Sequence, residues 1–368
     1  MAATRHATRV LGRVMSPKQQ QIRHMSQSQP RLSKTPEEIA QAFLAKFGEG
    51  QSFARKQLLD ANQARLFSLT LDREKFWPHS ESLIDGEPKA GTPLPAGYHN
   101  AYFTPTQLPA QLGVDGTDTS YNPEAPFTRR MWAGGSISWP GAGNPSNNNP
   151  AYLKIGDTAT EITKVLSCDA KTLKNSGEAM LVVGVVKEFY DSNDELCVVD
   201  RRNWVFREAL DAQKKSNPPP PATKKKKQSE MQQQKTQNEG TLLTKPFQRT
   251  PTQLFRISAL TFNAHRIHYD RTWAVEVEGH RDVVVHGPLN MISCLDFWRD
   301  EVGKSAKKNE VLPYLYPKSL EYRATSPVYV EEPYKILMER AAIMDENVAV
   351  EVVGDDGRLC MKGEIRRW

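Results

Sequence analysis

The chain has 368 residues, of which 38% are hydrophobic and 25% charged, a balance typical of a globular protein. Its length predicts two domains, since one domain usually takes ~100–200 residues. No apolar run approaches the ~20 residues that a membrane-spanning helix needs, so we predict no membrane span. The four cysteines are scattered without CxxC spacing, which predicts reduced core thiols rather than disulfides or a metal site.

The first 36 residues contain seven basic and no acidic side chains. On a helix, the apolar residues between Val10 and Met15 share one side and the arginines occupy much of the other, which is typical of a mitochondrial transit peptide. We assign residues 1–34 to this peptide, with a candidate cleavage site after Met25, and predict a matrix localisation. The alternative is a basic tail without structure. Removing residues 1–25 lowers the net charge from +6 to +1, so no nucleic-acid partner is predicted.

Residues 35–75 are predicted to be a helical segment. A first helix begins at Pro36, where Thr35 can cap it, and ends before Gly48. A second helix is predicted over Phe53–Leu69 from its apolar spacing. We interpret the pair as a helical hairpin ahead of the main fold, and whether it joins two copies of the chain into a homodimer stays open.

Residues 76–210 are predicted to form a first domain that is rich in strands. Its opening half is irregular, with many Pro, Gly and Asn residues. Strands are predicted over Ala159–Val165, Ala179–Tyr190 and Glu195–Val205, and Asp191–Asp194 makes the turn between the last two. The pattern indicates an antiparallel meander of long strands.

Residues 211–247 are of low complexity, with runs of proline, lysine and glutamine, and are predicted to be a disordered linker. Instead of being part of a linker, the run Lys224–Lys227 could be a nuclear signal or a patch that binds a polyanion. Residues 248–368 are predicted to form a second domain in which one long helix, Pro288–Val302, precedes a meander of strands. We expect the sheet to wrap around this helix, and a similar half beside it would hide the sheet edges.

The stretch Leu254–Leu289 holds four of the eight histidines. A short strand is predicted over Leu254–Ile257, and a helix over Tyr269–Val277. The sequence His286-Gly287-Pro288 then starts the long helix, since proline suits the first helical turn. A histidine beside a helix start can combine a proton carrier with backbone N–H donors. The alternative is a loop rich in surface histidines.

This stretch resembles the hydratase motif of MaoC-like hot-dog proteins, whose general form is S/T-G-D-x-N-P-I-H-x-D-x-x-x-A. The corresponding segment here is Thr261–Asp270, TFNAHRIHYD, and Val285–Leu289 resembles the second element, where the hot-dog helix begins. The likeness is greater to one branch, the fungal mitochondrial 3-hydroxyacyl-thioester dehydratases type 2 and the mesaconyl-CoA hydratases. Two further segments, Leu58–Gln63 and Phe127–Gly135, resemble that branch.

The resemblance implies an α+β double hot-dog: two antiparallel sheets, a long central helix in the C-terminal half, and a helical N-terminal segment. Residues 76–210 would be the N-terminal hot-dog-like domain and residues 248–368 the catalytic one. The chain departs from the general motif at Asn263, which stands in place of Asp, and at His265-Arg266, which stand in place of Asn-Pro.

The chemistry of the implied site needs a base for the C2 proton, a contact for the departing 3-hydroxyl and a donor for the thioester oxygen. We predict that His268 transfers the proton, Asn263 binds the hydroxyl or water, and the Gly287 N–H binds the oxyanion. Each could instead be structural. No metal and no cofactor is required. The residues expected around the substrate, with the histidines in supporting roles, are Arg129, Arg130, Trp132, His265, Arg266 and His286.

The resemblance implies an enzyme, a hydro-lyase that reversibly dehydrates a (3R)-3-hydroxyacyl thioester to the trans-2-enoyl thioester in mitochondrial type II fatty acid synthesis. The substrate would be carried on acyl carrier protein or CoA. One alternative is a mesaconyl-CoA-type hydratase of a short dicarboxylic acyl-CoA, which a cationic cavity wall would favour, whereas an apolar tunnel would favour fatty acyl chains. Another is a non-catalytic hot-dog protein that binds an acyl carrier.

Overall fold

A computed structural model describes residues 34–142, 150–173, 177–210, 241–304 and 315–368. The predicted transit peptide, apart from Lys34, and residues 211–240 of the predicted linker lie outside these ranges. The described residues form four α-helices: α1 Pro36–Phe47, α2 Ala61–Thr70, α3 Pro251–Leu260 and α4 Gly287–Gly303. They also form ten strands: β1 Phe53–Leu58, β2 Arg129–Ser138, β3 Thr158–Thr172, β4 Ala179–Tyr190, β5 Leu196–Arg207, β6 Leu242–Phe247, β7 Ser319–Ala324, β8 Tyr334–Glu339, β9 Asn347–Gly354 and β10 Leu359–Arg366.

All ten strands belong to one antiparallel sheet, in the order β1-β3-β4-β5-β2-β7-β10-β9-β8-β6. The N-terminal half of the sheet is β1 to β2 in this order, and the C-terminal half is β7 to β6. The halves meet where β2 pairs with β7, with Gly134 opposite Arg323 and Ser138 opposite Ser319. Each half therefore covers an edge of the other, and the two hot-dog sheets are continuous.

The long helix α4 lies in the core of the C-terminal half. Thirteen of its seventeen residues are buried, because the sheet and the preceding loops surround it on nearly every side. Two of its buried polar side chains have partners within the helix: Ser293 Oγ donates to the Leu289 carbonyl, and Arg299 pairs with Asp296 at 2.7 Å. The predicted helix is present, and residues on all of its sides are buried.

Helix α1 packs on the inner face of β3 and β4 in the N-terminal half. Thr35 caps it as predicted, since Glu38 N–H donates to Thr35 Oγ1 at 3.2 Å. Its buried residues, which include Phe43 and Phe47, join a cluster with Leu181 and other residues of that face. The apolar face of α1 is thus covered by the chain itself.

The structure corrects two predicted elements. Phe53–Leu58 is strand β1 and not the start of a helix, because its side chains alternate in burial and it pairs with β3. The helix begins after Asp60, whose side chain accepts from Gln63 N–H at 2.8 Å. Leu254–Ile257 lies within helix α3 and not in a strand, since Thr250 caps a helix that starts at Pro251.

Besides β1, two further strands were not predicted. Strand β2 lies in the region read as irregular, and β6 takes up the last residues of the predicted linker, where it pairs with β8. The glycines of β2 obscured its pattern. Gly135 is required there, since a Cβ would overlap the Arg201 carbonyl of β5. Within the described ranges, no helix is both long and apolar enough to cross a bilayer.

Candidate active site

A cavity of about 750 Å³ lies between the two halves of the sheet. Small-molecule sites typically occupy ~300–1,000 Å³. The start of α4 and the segment after α3 form one wall, which carries four of the histidines. Strands β2 to β5 and β1 form the opposite wall.

His268 is buried in the cavity wall, with 8% of its surface exposed. Its Nδ1 lies 2.7 Å from the Val284 carbonyl. Because a carbonyl can only accept, Nδ1 carries the hydrogen and Nε2 keeps its lone pair. Burial lowers the pKa of His268 to about 4. The ring is therefore neutral near pH 7 and can act as a base through Nε2.

The ring of His286 stacks on that of His268, with centroids 3.7 Å apart and planes 18° apart. Its Nε2 lies 3.0 Å from the hydroxyl oxygen of Ser258 on α3. Burial, followed by the neighbouring His268, holds the pKa of His286 well below its ordinary value. His286 is thus a neutral ring that lies face to face with the candidate base.

Asn263 lies at the end of α3 and lines the cavity. Its backbone N–H donates to the Ser258 carbonyl at 2.8 Å, and its Oδ1 accepts from the His265 N–H at 3.1 Å. Since Oδ1 closes this turn, Nδ2 is the group that Asn263 can offer to a hydroxyl. His265 also lines the cavity, with its ring edge-on to His268 at 5.4 Å between centroids.

Gly287 begins α4, and its N–H has no acceptor within the helix, whereas the next N–H groups donate to the His286 carbonyl. The indole ring of Trp132 lies against it so closely that a Cβ at this position would overlap the ring. Trp132 in turn stacks on Tyr322, with centroids 4.8 Å apart. The glycine therefore lets an aromatic wall approach the helix start, and both residues line the cavity.

Arg129 and Arg130 line the cavity, but each has an acidic partner. Arg129 Nε donates to Glu278 at 2.7 Å, and Arg130 lies 3.5 Å from Asp118. Arg266 is the predicted substrate residue that is not part of the cavity lining. It pairs with Asp270 at 2.7 Å and covers the Trp273 ring.

The wall formed by the N-terminal half carries further charges that were not predicted. Glu161 pairs with Arg55 at 2.8 Å and with Lys187 at 3.0 Å, so one carboxylate serves two cations. Burial lowers the pKa of Lys187 to about 8, although Glu161 opposes this shift. In total six basic and three acidic side chains line the cavity: Arg55, Arg129, Arg130, Lys187, Arg202 and Arg207 against Asp118, Glu161 and Glu278.

One set of described residues could supply metal ligands. Asp115, His265 and Glu278 bring one ligand atom each to within 4.8 Å of one another. The carboxylates are engaged with protein groups, however. Asp115 accepts from the Thr117 N–H and hydroxyl, and Glu278 accepts from Arg129 and from the Trp273 indole. These contacts fit a hydrogen-bonded wall better than an ion site.

The structure thus brings together Asn263, His268, Gly287, Trp132 and the histidines of the predicted site. It adds Ser258, Glu278, His280 and the Val284 carbonyl, together with the charged residues of the opposite wall. Glu278 and His280 stand in the histidine-rich stretch and were within reach of sequence reasoning. Sequence reasoning could not have placed Lys187 at the site, because its position beside the cavity depends on the pairing of β4 with its neighbouring strands.

Comparisons with known proteins identify the family. The family described as hydroxyacyl-thioester dehydratase type 2 matches residues 97–330, more than half of the chain. The chain is 28% identical over 282 residues to mesaconyl-C(4)-CoA hydratase of Chloroflexus aurantiacus, covering 76% of this chain and 86% of that protein. It is 27% identical over 267 residues to the mitochondrial hydroxyacyl-thioester dehydratase type 2 of Schizosaccharomyces pombe, covering 67% and 77%.

Solved structures agree in fold. A MaoC-like dehydratase superposes with a TM-score of 0.56 at 12% identity, covering 89% of this chain and 99% of that chain. A Mycobacterium tuberculosis protein described as having a double hotdog fold gives a TM-score of 0.51 at 13% identity, covering 88% and 96%. The fold is therefore a MaoC-like double hot-dog, as predicted, and the chain belongs to the hydroxyacyl-thioester dehydratase type 2 family of hydro-lyases.

Proposed function

We propose that this protein reversibly dehydrates a (3R)-3-hydroxyacyl thioester to the trans-2-enoyl thioester, in mitochondrial type II fatty acid synthesis. The observation that carries the proposal is the state of His268, a neutral imidazole whose Nδ1 is engaged by the Val284 carbonyl and whose Nε2 is left for the substrate. The matrix localisation rests on the basic leader and on the likeness to the mitochondrial S. pombe enzyme.

In the proposed reaction, His268 Nε2 takes the proton from C2, and the electron pair moves toward the thioester carbonyl. The Gly287 N–H, at the positive end of α4, stabilises the charge on that oxygen. The C3–O bond then breaks as the C2=C3 bond forms, and the departing hydroxyl takes the proton from His268 to leave as water. Asn263 Nδ2 donates to the hydroxyl and fixes its position. Hydration follows the same steps in reverse.

The substrate has two variable parts, the carrier of the thioester and the acyl group. Acyl carrier protein and CoA present the same thioester, and either could deliver it to the cavity. A second candidate substrate is a short dicarboxylic acyl-CoA of the mesaconyl type. The six basic side chains in the cavity lining support this candidate, although each is paired with a carboxylate. The likeness to the C. aurantiacus enzyme also supports it.

The test is turnover by protein that lacks residues 1–25, measured as enoyl absorbance with 3-hydroxyacyl-CoA of several lengths and with mesaconyl-CoA. We expect turnover, and expect His268→Ala to lower kcat by about 10³-fold or more. His79→Ala, at an exposed histidine outside the cavity, is the matched control and should retain full activity.

No turnover of any of these substrates would contradict the proposed function. Full activity in His268→Ala would reject the mechanism alone. A higher kcat/KM for mesaconyl-CoA than for every 3-hydroxyacyl-CoA would favour the second candidate.

A further inference from the structure

A buried group links Asn263 and His268, the two candidate catalytic side chains. Ser258 lies on the inner side of α3 with 9% of its surface exposed. Its carbonyl accepts the Asn263 N–H at 2.8 Å, and its hydroxyl lies 3.0 Å from His286 Nε2. His286 then stacks on His268 at 3.7 Å. Ser258 therefore contacts Asn263 directly and contacts His268 through the His286 ring.

We propose that Ser258 and His286 are positioning residues that hold the plane of the His268 ring for proton transfer. The inference rests on the proposed function, since it gives His268 the role of base. The hydrogen bond from Nδ1 to the Val284 carbonyl fixes one atom of the His268 ring. The ring is also bonded at Cγ, and one hydrogen bond still permits small rotations about the Cβ–Cγ bond. The parallel face of His286 removes this freedom, and Ser258 prevents His286 itself from turning.

The backbone on the other side of His268 is also held in place. The Val284 N–H donates to the Ile267 carbonyl at 2.8 Å, and Val284 forms an isolated bridge with Tyr329. The carbonyl that accepts from His268 is thus part of a fixed strand-like segment. Rigid support of this kind keeps Nε2 aligned with the C2 proton, where misplacement by ~1 Å can cost about 100-fold in rate.

The stacked pair also suits the charge that forms during the reaction. When His268 takes a proton it becomes an imidazolium, and a neutral neighbouring ring avoids the repulsion that a second charged ring would cause. His286 stays neutral because it is buried with 3% exposure, and because charging it beside His268 would cost further energy. The other titratable groups that act on the pair are His265 and His280, whose pKa values are likewise lowered, first by burial. The neutral stack can therefore accept one proton, on His268.

The experiment compares Ser258→Ala with Ser258→Thr, which keeps the hydroxyl. We expect Ser258→Ala to lower kcat by about tenfold or more while KM changes less than about twofold. Ser258→Thr should recover most of the lost kcat. An unchanged kcat in Ser258→Ala, or a loss that threonine does not recover although the variant melts like the wild type, would overturn the proposal.

A second readout does not depend on turnover. Titration of His268 by NMR in the wild type should give a pKa far below 6.5, since burial lowers it to about 4. His286→Ala opens space beside the ring and admits water, so the pKa of His268 should rise toward 6.5, and the acid limb of kcat/KM should move with it. His286→Phe keeps a flat ring and should leave the pKa low.

The two readouts separate the possible failures. If the pKa of His268 stays the same in His286→Ala, the stacked support is wrong even where the enzyme is active. If the pKa moves as expected but the wild type turns over none of the thioesters, the proposed function fails and the stacked pair stands as a structural feature.

Discussion

The two walls of the cavity bury different kinds of polar group: neutral rings on one side and paired charges on the other. The wall formed by the C-terminal half carries imidazoles that stay neutral, because burial lowers the pKa of His265, His268, His280 and His286. The wall formed by the N-terminal half keeps its charges and pairs them, as Glu161 does with Arg55 and Lys187. Neutral rings suit proton transfer, whereas fixed charge pairs suit the orientation of a polar ligand.

The helices α4 and α1 also differ in how they are placed relative to the cavity. The C-terminal half surrounds the 17-residue α4, whose first residue, Gly287, lines the cavity. The N-terminal half packs the 12-residue α1 against β3 and β4, and further along the same face lie Lys187 and Phe189, which line the cavity. One half of the fold thus carries the candidate catalytic groups, and the other carries most of the charged side chains that line the cavity.

The largest effect on stability is expected at Glu161, because its removal leaves two cations without their carboxylate. We expect Glu161→Gln to lower the free energy of unfolding by about 3 kcal/mol, the scale for breaking a buried ion pair. Glu188→Gln is the matched control, since Glu188 pairs with Lys164, whose side chain is 43% exposed. The control should cost less than about 1 kcal/mol. Equal losses in urea denaturation would mean that water screens the Glu161 cluster as well.

A fall in pH should destabilise the histidine wall. A histidine with a lower pKa in the folded state binds fewer protons there than in the unfolded chain, so stability rises with pH between the two pKa values. For His268 the window runs from its ordinary 6.5 down to about 4. This group alone should cost about 2 kcal/mol at pH 5 relative to pH 7.

The measurement is urea denaturation of the wild type and of His268→Asn at both pH values. The asparagine amide places a donor at the position of Nδ1, which faces the Val284 carbonyl, but does not titrate, so the variant should lose less stability between pH 7 and pH 5. A variant with the same pH dependence as the wild type would show that other groups control it.

Local patterns predicted single elements better than the contacts between distant elements. Strand β4 begins and ends where its valine-rich run does, and the spacing of the motif brought Asn263 and His268 to one cavity. The partner of Arg129 could not be read in this way, because Glu278 is 149 residues away along the chain. Helix α3 was misread because the apolar run Leu254–Ile257 outweighed the helix-start signal at Thr250.

At the end of α3, a phenylalanine adopts a backbone conformation that side chains other than hydrogen disfavour. Phe262 has a φ of 49°, in the left-handed region that favours glycine, and its N–H donates to the Ala259 carbonyl at 3.2 Å. Together with the bond from Asn263 N–H to Ser258, this closes the helix and brings Asn263 to the cavity. The Phe262 side chain is 61% exposed and lines the cavity, so burial of its ring does not account for the conformation.

The smallest expected effect is the strain energy of this conformation. It can be recognised from which of two variants, alanine or glycine, is the more stable. Phe262→Ala and Phe262→Gly both remove the ring, but glycine adopts a positive φ without strain, so Phe262→Gly should be the more stable by ~1 kcal/mol. Phe255 is the matched control, since it is 66% exposed and lies inside α3. There the order should reverse, with Phe255→Ala more stable than Phe255→Gly by ~1 kcal/mol, because glycine is a poor helix former. The same order at both positions would mean that the left-handed turn at Phe262 is not strained. Opposite orders would show that α3 ends in a strained turn beside the histidine wall, where it sets the position of Asn263.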